Sequence, residues 1–144
     1  MADASARRIV FTGASGGIGT MIRPLLAPLY PGLVLSDKVA PKNLLPSETF
    51  VAADLAKPDE VANAVKGADS VIHLGGYSVE GPWDSILQAN IIGCYNLFEA
   101  ARQAGVKRVI FASSNHAVGF YPRKRKIGTD LTVRPDSRYG VSKA

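Results

Sequence analysis

Short apolar runs alternate with helix-length segments along most of the chain. Five runs are rich in β-branched and aromatic residues, and they cover residues 8–12, 32–36, 49–53, 70–74 and 109–112. Runs of this length and composition are typical of buried strands. Because such strands have both faces covered, and because helices separate them here, the pattern predicts a parallel sheet between two helical layers. Right-handed crossovers then give a doubly wound α/β fold.

Two of the segments between the strands are predicted to be short helices. Residues 17–29 have a helical pattern that contains Pro24 and Pro28. Each proline removes a backbone donor, so we expect this helix to kink or to end early. Residues 58–66 are predicted to form a helix with a proline in its first turn and Gly67 as its C-cap.

The clearest helix is predicted over residues 84–104, where apolar residues recur at helical spacing. Because these residues cover most of the helix circumference, we expect burial on more than one side. That burial is within the monomer or, alternatively, at the subunit interface of a homo-oligomer. Another helical pattern begins at Tyr139, close to Ala144. Since a complete sheet of this class has about six strands, we expect residues 1–144 to be the N-terminal part of a longer protein.

The composition is that of an ordinary globular domain, because 47% of the 144 residues are hydrophobic and 20% are charged. The apolar runs are far shorter than the roughly 18 residues of a membrane helix, so we expect no membrane partner. Residues 1–8 lack the apolar segment of a secretory signal. Cys94 is the one cysteine and cannot form an internal disulfide, which predicts a cytoplasmic location.

The net charge of +5 is a local feature of the sequence. Four of the 17 basic residues form the run 123–126, and the other thirteen nearly balance the twelve acidic residues. The run has prolines on either side and is most simply a solvated basic surface. Since no groove-reading motif accompanies it, we expect no nucleic-acid partner. We also expect no metal site.

A glycine-rich turn follows the first predicted strand and opens the first predicted helix. Its glycines are Gly13, Gly16 and Gly19. In this context Gly13 permits the tight turn, Gly16 lets a pyrophosphate approach the backbone, and Gly19 lets helix and strand pack closely. The helix N-terminus then offers free N–H groups to the phosphates. The alternative is a plain glycine-rich turn.

Two acidic residues follow the next two predicted strands. Asp37 lies eighteen residues beyond Gly19, where a carboxylate accepts hydrogen bonds from both adenosine ribose hydroxyls and repels a 2′-phosphate. This favours NAD over NADP, although the adjacent Lys38 weakens the exclusion, and a capping or surface aspartate is the alternative. Asp54 and Leu55 are candidate adenine contacts, and a surface turn is equally consistent with their spacing.

The fourth and fifth predicted strands end in small or polar residues. Gly75 and Gly76 follow the fourth strand, at the sheet edge where ligands approach the backbone in open α/β sheets. His73, one step inside that strand, is interpreted as a core residue rather than a catalytic one. Residues 113–116 (Ser-Ser-Asn-His) follow the fifth strand, where polar groups face a substrate or simply form a loop.

Tyr139 and Lys143 are four residues apart, so on a helix they share one face. A phenol is a poor base at neutral pH, and an ammonium nearby stabilises the phenolate. The pair is therefore a candidate for general acid–base chemistry. The spacing alone is common by chance, and its weight comes from the order of all these motifs along one sheet.

These motifs together resemble those of the extended short-chain dehydrogenase/reductase family over nearly all of the chain. Residues 90–93 (Asn-Ile-Ile-Gly) are similar to the family's helix asparagine segment, and Ser114 precedes Tyr139 by 25 positions, as the family's catalytic serine does. More narrowly, several runs are similar to those of bacterial uronate dehydrogenases: residues 73–76, 78–80, 88–93, 111–116, 119–122, 134–136 and 139–143.

The resemblance implies a Rossmann-type doubly wound parallel sheet, seen here as far as its fifth strand. Residues 1–144 would then be the NAD-binding domain, without the C-terminal part that supplies the last strands and an arginine for the substrate carboxylate. The implied activity belongs to carbohydrate metabolism. It is oxidation of the C1 hydroxyl of a hexuronate, galacturonate or glucuronate, to the aldarolactone, with hydride transfer to NAD.

Residue roles follow from the same resemblance. Tyr139 is the general base, Lys143 favours its phenolate form and holds the nicotinamide ribose, and Ser114 hydrogen-bonds the reacting oxygen. The residues implied to contact the sugar are Ser78, Ser114, Asn115, His116 and Tyr139. The residues implied to form the NAD site are Gly13, Ser15, Gly16, Gly17, Ile18, Gly19, Asp37, Asp54, Leu55, Leu74, Gly75, Gly76, Asn90, Tyr139 and Lys143, with Asn90 fixing the helix beside the lysine.

Two other functions remain open at this point. A nucleotide-sugar epimerase or dehydratase of the same superfamily would use the same tyrosine and lysine but would also need a site for a nucleotide diphosphate. A dinucleotide-binding module without chemistry would have no need of Ser114, Tyr139 and Lys143 together.

Overall fold

The β-branched and aromatic runs form the five strands of one parallel sheet. The computed structural model describes residues 7–144, so most of segment 1–8, which was predicted to hold no secretory signal, lies outside the described residues. The sheet order is β3-β2-β1-β4-β5, which confirms the doubly wound fold. The strands are β1 (Ile9–Thr12), β2 (Val34–Asp37), β3 (Thr49–Ala52), β4 (Ser70–His73) and β5 (Arg108–Phe111).

Helices connect the strands and cover the sheet. The α-helices are α1 (Gly17–Leu26), α2 (Pro58–Val65), α3 (Trp83–Ile86), α4 (Gly93–Gln103) and α5 (Arg138–Lys143). A π-helical segment, Leu87–Ile92, joins α3 to α4, and a 3₁₀ turn, Asn115–Val118, follows β5. In the described part of the chain, no helix is both long and apolar enough to span a bilayer.

Alternation along β1 builds a separate core on each face of the sheet. Val10 lies opposite Val34 and Val71 in the neighbouring strands, and this row packs against α2 and α4. Phe11 points to the other face, where it packs in the cluster that includes Ile22 of α1. Successive residues of a strand point to opposite faces, so uniformly apolar strands are what a two-sided core requires.

The first two helices end as their sequences predict. α1 ends at Leu26, before Pro28, and Pro24 is accommodated inside it. This confirms the early end expected from the prolines, because a proline cannot donate the next helical hydrogen bond. α2 ends at Val65, and Gly67 after it has φ +68°, the left-handed conformation of a C-cap glycine.

The predicted helix 84–104 is one helical rod, from Trp83 to Gln103, but it is not buried on more than one side. Leu97 is buried on the side that packs against α2, whereas Tyr95 is 69% exposed and Phe98 is 45% exposed. The expectation of burial was therefore wrong within this chain. Apolar composition cannot distinguish a helix surrounded by protein from one with a single packed face.

A buried ion pair fixes α1 to the segment before β3. Nε of Arg23 lies 2.9 Å from Oε1 of Glu48, and both side chains are almost fully buried. The Arg23 guanidinium also donates to the carbonyl oxygens of Lys42 and Asn43. A buried charge needs such partners to be tolerated, so the pair determines the path of the loop after β2.

Candidate functional site

The carboxyl ends of the five strands open onto a cleft with a volume of about 890 Å³. This is the switch point of the sheet, between the neighbouring strands β1 and β4, where the strand order reverses and ligands bind in open α/β folds. All the residues that the sequence assigned to the NAD site, except Asn90, line this cleft: Gly13, Ser15, Gly16, Gly17, Ile18, Gly19, Asp37, Asp54, Leu55, Leu74, Gly75, Gly76, Tyr139 and Lys143.

The glycine turn is built by close backbone approach. Gly13 has φ +72°, and a Cβ on it would lie 2.6 Å from the backbone nitrogen of Gly75. A Cβ on Gly19 would overlap the Gly13 carbonyl oxygen. The N–H of Gly16 donates to the Gly13 carbonyl oxygen at 3.1 Å, and this hydrogen bond closes the turn. Side chains are excluded here because the β1 end, the β4 end and α1 are in contact.

α1 begins in the cleft without a side-chain cap. Its N-cap is Gly16, which makes no capping hydrogen bond, and the first turn carries no acidic residue. The N–H groups of a first turn have no acceptor within their own helix. Together with the helix dipole they form an anion site, which suits a pyrophosphate.

Two carboxylates occupy the far end of the cleft. Asp37, at the end of β2, accepts the N–H of Ser15 at 3.0 Å and that of Lys38 at 2.7 Å. The Lys38 ammonium lies 3.0 Å from Oδ2 of Asp54. The pKa of Asp54 is lowered, chiefly by the N–H of Ala56 and then by Lys38, so this group is ionised. Lys38 is thus directed to Asp54, whereas the sequence suggested that it would weaken the exclusion of a 2′-phosphate.

Tyr139 and Lys143 lie on α5, whose start is capped twice. Ser137 accepts the N–H of Gly140, and Glu80 accepts the N–H of Tyr139, each at 2.9 Å. One cap comes from the adjacent sequence and the other from a loop 59 residues earlier. The first turn of this short helix is therefore fixed from both sides.

The Lys143 side chain is buried against the end of β5. Its ammonium donates to the Ala112 carbonyl oxygen at 3.2 Å and lies 4.9 Å from the centre of the Phe111 ring. It lies 6.0 Å from the centre of the Tyr139 ring. Burial lowers the pKa of Lys143 from its ordinary value. A partly desolvated ammonium exerts a stronger field on its neighbours than one in water.

Asn90 lies behind the cleft and does not line it. Its side chain accepts the Tyr77 N–H at 2.6 Å and donates to the Tyr77 carbonyl oxygen at 2.9 Å. The same amide donates to the Ser142 hydroxyl at 2.8 Å. With its hydrogen-bonding groups used in this way, Asn90 holds α5 against the loop after β4. Its place in the predicted NAD site stays a prediction, and the contacts that the structure shows are those with Tyr77 and Ser142.

A second pocket of about 400 Å³ opens beside the cleft. It contains all the residues that the sequence assigned to the sugar: Ser78, Ser114, Asn115, His116 and Tyr139. The Ser114 hydroxyl accepts the N–H of His116 at 3.2 Å and so caps the 3₁₀ turn that carries Asn115 and His116. Ser78 and Tyr139 line both the pocket and the cleft. Tyr139 therefore lies between the two spaces.

His73 is a core residue, as predicted. It is 1% exposed, and its Nδ1 lies 2.6 Å from the Thr12 hydroxyl. Burial is the main reason that the pKa of His73 is lowered to about 4, with the Lys143 charge adding to it. The imidazole is neutral at pH 7, and His73 is not among the residues that line the cleft.

Two acidic residues of the site were not singled out from the sequence. Glu80 lines the second pocket and caps α5, and Asp136 binds His116. Both partners are distant along the chain, so spacing gave no indication of either contact. The start of α5 has one local signal in the sequence. Ser137, two residues before Tyr139, is a preferred type of helix N-cap.

The 3-2-1-4-5 sheet and the cleft at its switch point define the class: a Rossmann-type α/β protein. The chain belongs to the NAD dependent epimerase/dehydratase family, whose model matches residues 9–144. This confirms the family resemblance predicted from the glycine turn and the Tyr139–Lys143 pair.

Individual relatives agree with this assignment. The chain is 48% identical over 137 residues to the uronate dehydrogenase of Agrobacterium fabrum. The aligned region covers 95% of this chain and 52% of that protein. The crystal structure of glucuronic acid dehydrogenase from Chromohalobacter salexigens matches with a TM-score of 0.91 and 53% identity, over 95% of this chain and 52% of that one. A mutant uronate dehydrogenase from Agrobacterium tumefaciens complexed with NAD matches with a TM-score of 0.90 and 47% identity, over the same shares. The chain thus spans about half the length of these relatives.

Proposed function

We propose that this chain provides the cofactor site and the proton-transfer groups of an NAD-dependent uronate dehydrogenase. The reaction is oxidation of the C1 hydroxyl of galacturonate or glucuronate to the aldarolactone. The observation that carries the proposal is the position of Tyr139, which lines both the 890 Å³ cleft and the adjoining 400 Å³ pocket. A base at that junction reaches a substrate hydroxyl in one space while a cofactor occupies the other.

The cleft fits a dinucleotide on structural grounds. Gly13 and Gly19 let the β1 end, the β4 end and α1 come into contact, which forms the tight turn of a dinucleotide site, and the uncapped start of α1 presents N–H groups to a pyrophosphate. Asp37 provides a carboxylate for the adenosine ribose hydroxyls and disfavours a 2′-phosphate, so NAD is the proposed cofactor. When bound, NAD supplies the hydride acceptor.

The residues around the junction then have distinct tasks. The phenolic oxygen of Tyr139 takes the proton of the substrate hydroxyl, and the Ser114 hydroxyl hydrogen-bonds the reacting oxygen. Lys143, buried beside Phe111 and 6.0 Å from the centre of the Tyr139 ring, would stabilise the phenolate by its charge and would hold the nicotinamide ribose. Asn90 keeps α5 in place through Ser142.

The second pocket suits a polyhydroxylated ligand. Hydroxyl, amide and imidazole groups of Ser78, Asn115 and His116 line it. Groups of this kind form hydrogen bonds with sugar hydroxyls. An apolar ligand would leave these polar groups without hydrogen-bond partners. The relatives named for uronate or glucuronic acid oxidation narrow the proposed sugar to a hexuronate.

Three expectations about partners and location stay predictions. We expect neither a nucleic-acid nor a membrane partner, and we expect a cytoplasmic protein. A homo-oligomer with its interface on the predicted helix 84–104 is also a prediction, and Tyr95 and Phe98 of that helix are exposed.

The test is a turnover assay with the natural full-length protein. Galacturonate or glucuronate added to protein and NAD should raise the absorbance of NADH. Tyr139→Phe should lower the rate of NADH formation by at least about a hundredfold. Binding of NAD to the variant, measured by calorimetry, should persist. Silence with both uronates together with turnover of a nucleotide sugar would instead establish the epimerase alternative.

A further inference from the structure

His116 and Asp136 form a close pair at the edge of the second pocket. Nδ1 of the imidazole lies 2.9 Å from Oδ1 and 3.1 Å from Oδ2 of the carboxylate. The hydrogen bond from His116 is the main reason that the pKa of Asp136 is lowered. The group is therefore an ionised carboxylate, which only accepts hydrogen bonds. It follows that Nδ1 of His116 carries a hydrogen.

The tautomer determines what the other ring nitrogen can do. A neutral imidazole has a single N–H, so with Nδ1 protonated, Nε2 is an acceptor. His116 belongs to the pocket lining and Asp136 does not. The ring also stands edge-on to Tyr139, with 5.8 Å between the ring centres. In the neutral ring, the nitrogen left for a ligand is thus a hydrogen-bond acceptor.

The surroundings fix the pair in this arrangement. The Asp136 N–H donates to the His116 carbonyl oxygen at 3.2 Å, and the Ser137 hydroxyl donates to Oδ1 of Asp136 at 2.9 Å. Gly119 makes room for the carboxylate, because a Cβ there would overlap Oδ2 of Asp136. Gly140 makes room for the His116 carbonyl oxygen in the same way. One backbone hydrogen bond within the pair and three neighbouring residues therefore hold one geometry.

We propose that Asp136 is a positioning residue that keeps His116 in its Nδ1–H tautomer, so that Nε2 accepts a hydrogen bond from a sugar hydroxyl. This deepens the proposed function and rests on it for the identity of the ligand. It makes the pocket selective for a hydroxyl at that position. A ligand with a carbonyl or an ether oxygen there would leave Nε2 without a donor.

The tautomer can be measured without any substrate. Nitrogen-15 spectra of the natural full-length protein, at a pH where the imidazoles are neutral, distinguish a protonated Nδ1 from a protonated Nε2. The His116→Gln variant identifies the resonance, and the buried His73 is an internal control. We expect the Nδ1–H form in the natural protein and a shift toward the Nε2–H form in Asp136→Ala. The Nε2–H form in the natural protein, or an unchanged ratio in the variant, would overturn the proposal.

Two further variants guard against a merely structural effect. Asp136→Asn keeps an acceptor oxygen and should retain most of the Nδ1–H form, whereas loss of that form as complete as in Asp136→Ala would count against a role in accepting the hydrogen. Asp130→Ala removes an exposed acid from the same loop and should leave the spectrum of His116 unchanged.

Kinetics supply the second readout. Asp136→Ala should raise the KM for the uronate by about tenfold, with kcat and the KM for NAD little changed. Combined with His116→Gln it should cost nothing more, because the two residues act as one unit. A fall in kcat at unchanged KM would mean that Asp136 acts on the proton transfer by Tyr139 and not on sugar binding by His116, and it would overturn the proposal. If no uronate reacts while the tautomer is as expected, the proposed function fails and the pairing stands.

Discussion

The Asn90 amide donates to the Ser142 hydroxyl at 2.8 Å and so joins the π-helical segment to the helix that carries Tyr139. The same side chain holds both backbone groups of Tyr77. Asn90 is buried, so its amide depends on these protein partners for its hydrogen bonds. The loop after β4 and the helix α5 are therefore coupled through one amide.

This coupling predicts unequal effects of two substitutions. Asn90→Ala removes three hydrogen bonds of a buried amide and deprives both backbone groups of the half-buried Tyr77 of their side-chain partner, so it should lower the free energy of unfolding by about 3 kcal/mol. Ser142→Ala removes the last of these bonds alone and should cost about 1 kcal/mol. Denaturant unfolding of both variants measures the difference. Equal losses in the free energy of unfolding would contradict the conclusion that Asn90 couples the loop after β4 to α5.

The glycine turn predicts a sharp difference between two nearby positions. A Cβ on Gly19 would overlap the Gly13 carbonyl oxygen, whereas nothing lies within 4 Å of a Cβ on Gly17. Gly19→Ala should therefore destabilise the protein by about 1–3 kcal/mol. Gly17→Ala should be neutral or slightly stabilising, because alanine favours a helix. Thermal unfolding without cofactor gives the comparison, and similar melting temperatures for the two variants would refute the close approach.

Asp37 predicts the choice of dinucleotide. Its carboxylate, held by the N–H groups of Ser15 and Lys38, would repel a 2′-phosphate. Asp37→Asn keeps the shape and removes the charge, so the ratio of kcat/KM for NAD over NADP should fall by at least about tenfold. Asp59→Asn, an exposed acid on α2, is the charge-matched control and should leave the ratio unchanged. An unchanged ratio in Asp37→Asn would remove Asp37 from the ribose site.

His73 predicts how stability depends on pH. Its pKa is about 4 in the folded protein, whereas in the unfolded chain the imidazole has its ordinary pKa of 6.5. Between these values the unfolded state binds more protons, so stability falls as the pH falls from 6.5 to 4, by about 3 kcal/mol. His73→Gln should remove this part of the decline, and His116→Gln should keep it. Denaturant unfolding at several pH values in this range decides between them.

The parts of the fold that depend on neighbouring residues could be predicted from the sequence. β1 and its glycine turn were found because strand composition, tight turn and helix start lie together between residues 9 and 19. The same holds for α2, with its N-terminal proline and Gly67. In each case the local chemistry has one favourable conformation.

Features that depend on distant residues were out of reach. Glu80 and Asp136 acquire their roles from partners that the fold brings to them. The π-helical segment Leu87–Ile92 was invisible because its side chains still recur at nearly helical spacing. The exposed face of α4 was missed for a related reason, since apolar side chains do not reveal which of them are covered.

Glu80 lines the proposed sugar pocket, yet its negative charge is compensated on the protein side. One oxygen lies 3.0 Å from Nε of Arg138, and the other accepts the backbone N–H of Tyr139 at the positive end of α5. A free carboxylate at this position would repel an anionic sugar acid. With both oxygens engaged, Glu80 presents less uncompensated negative charge to the pocket, which lowers its repulsion of an acidic ligand.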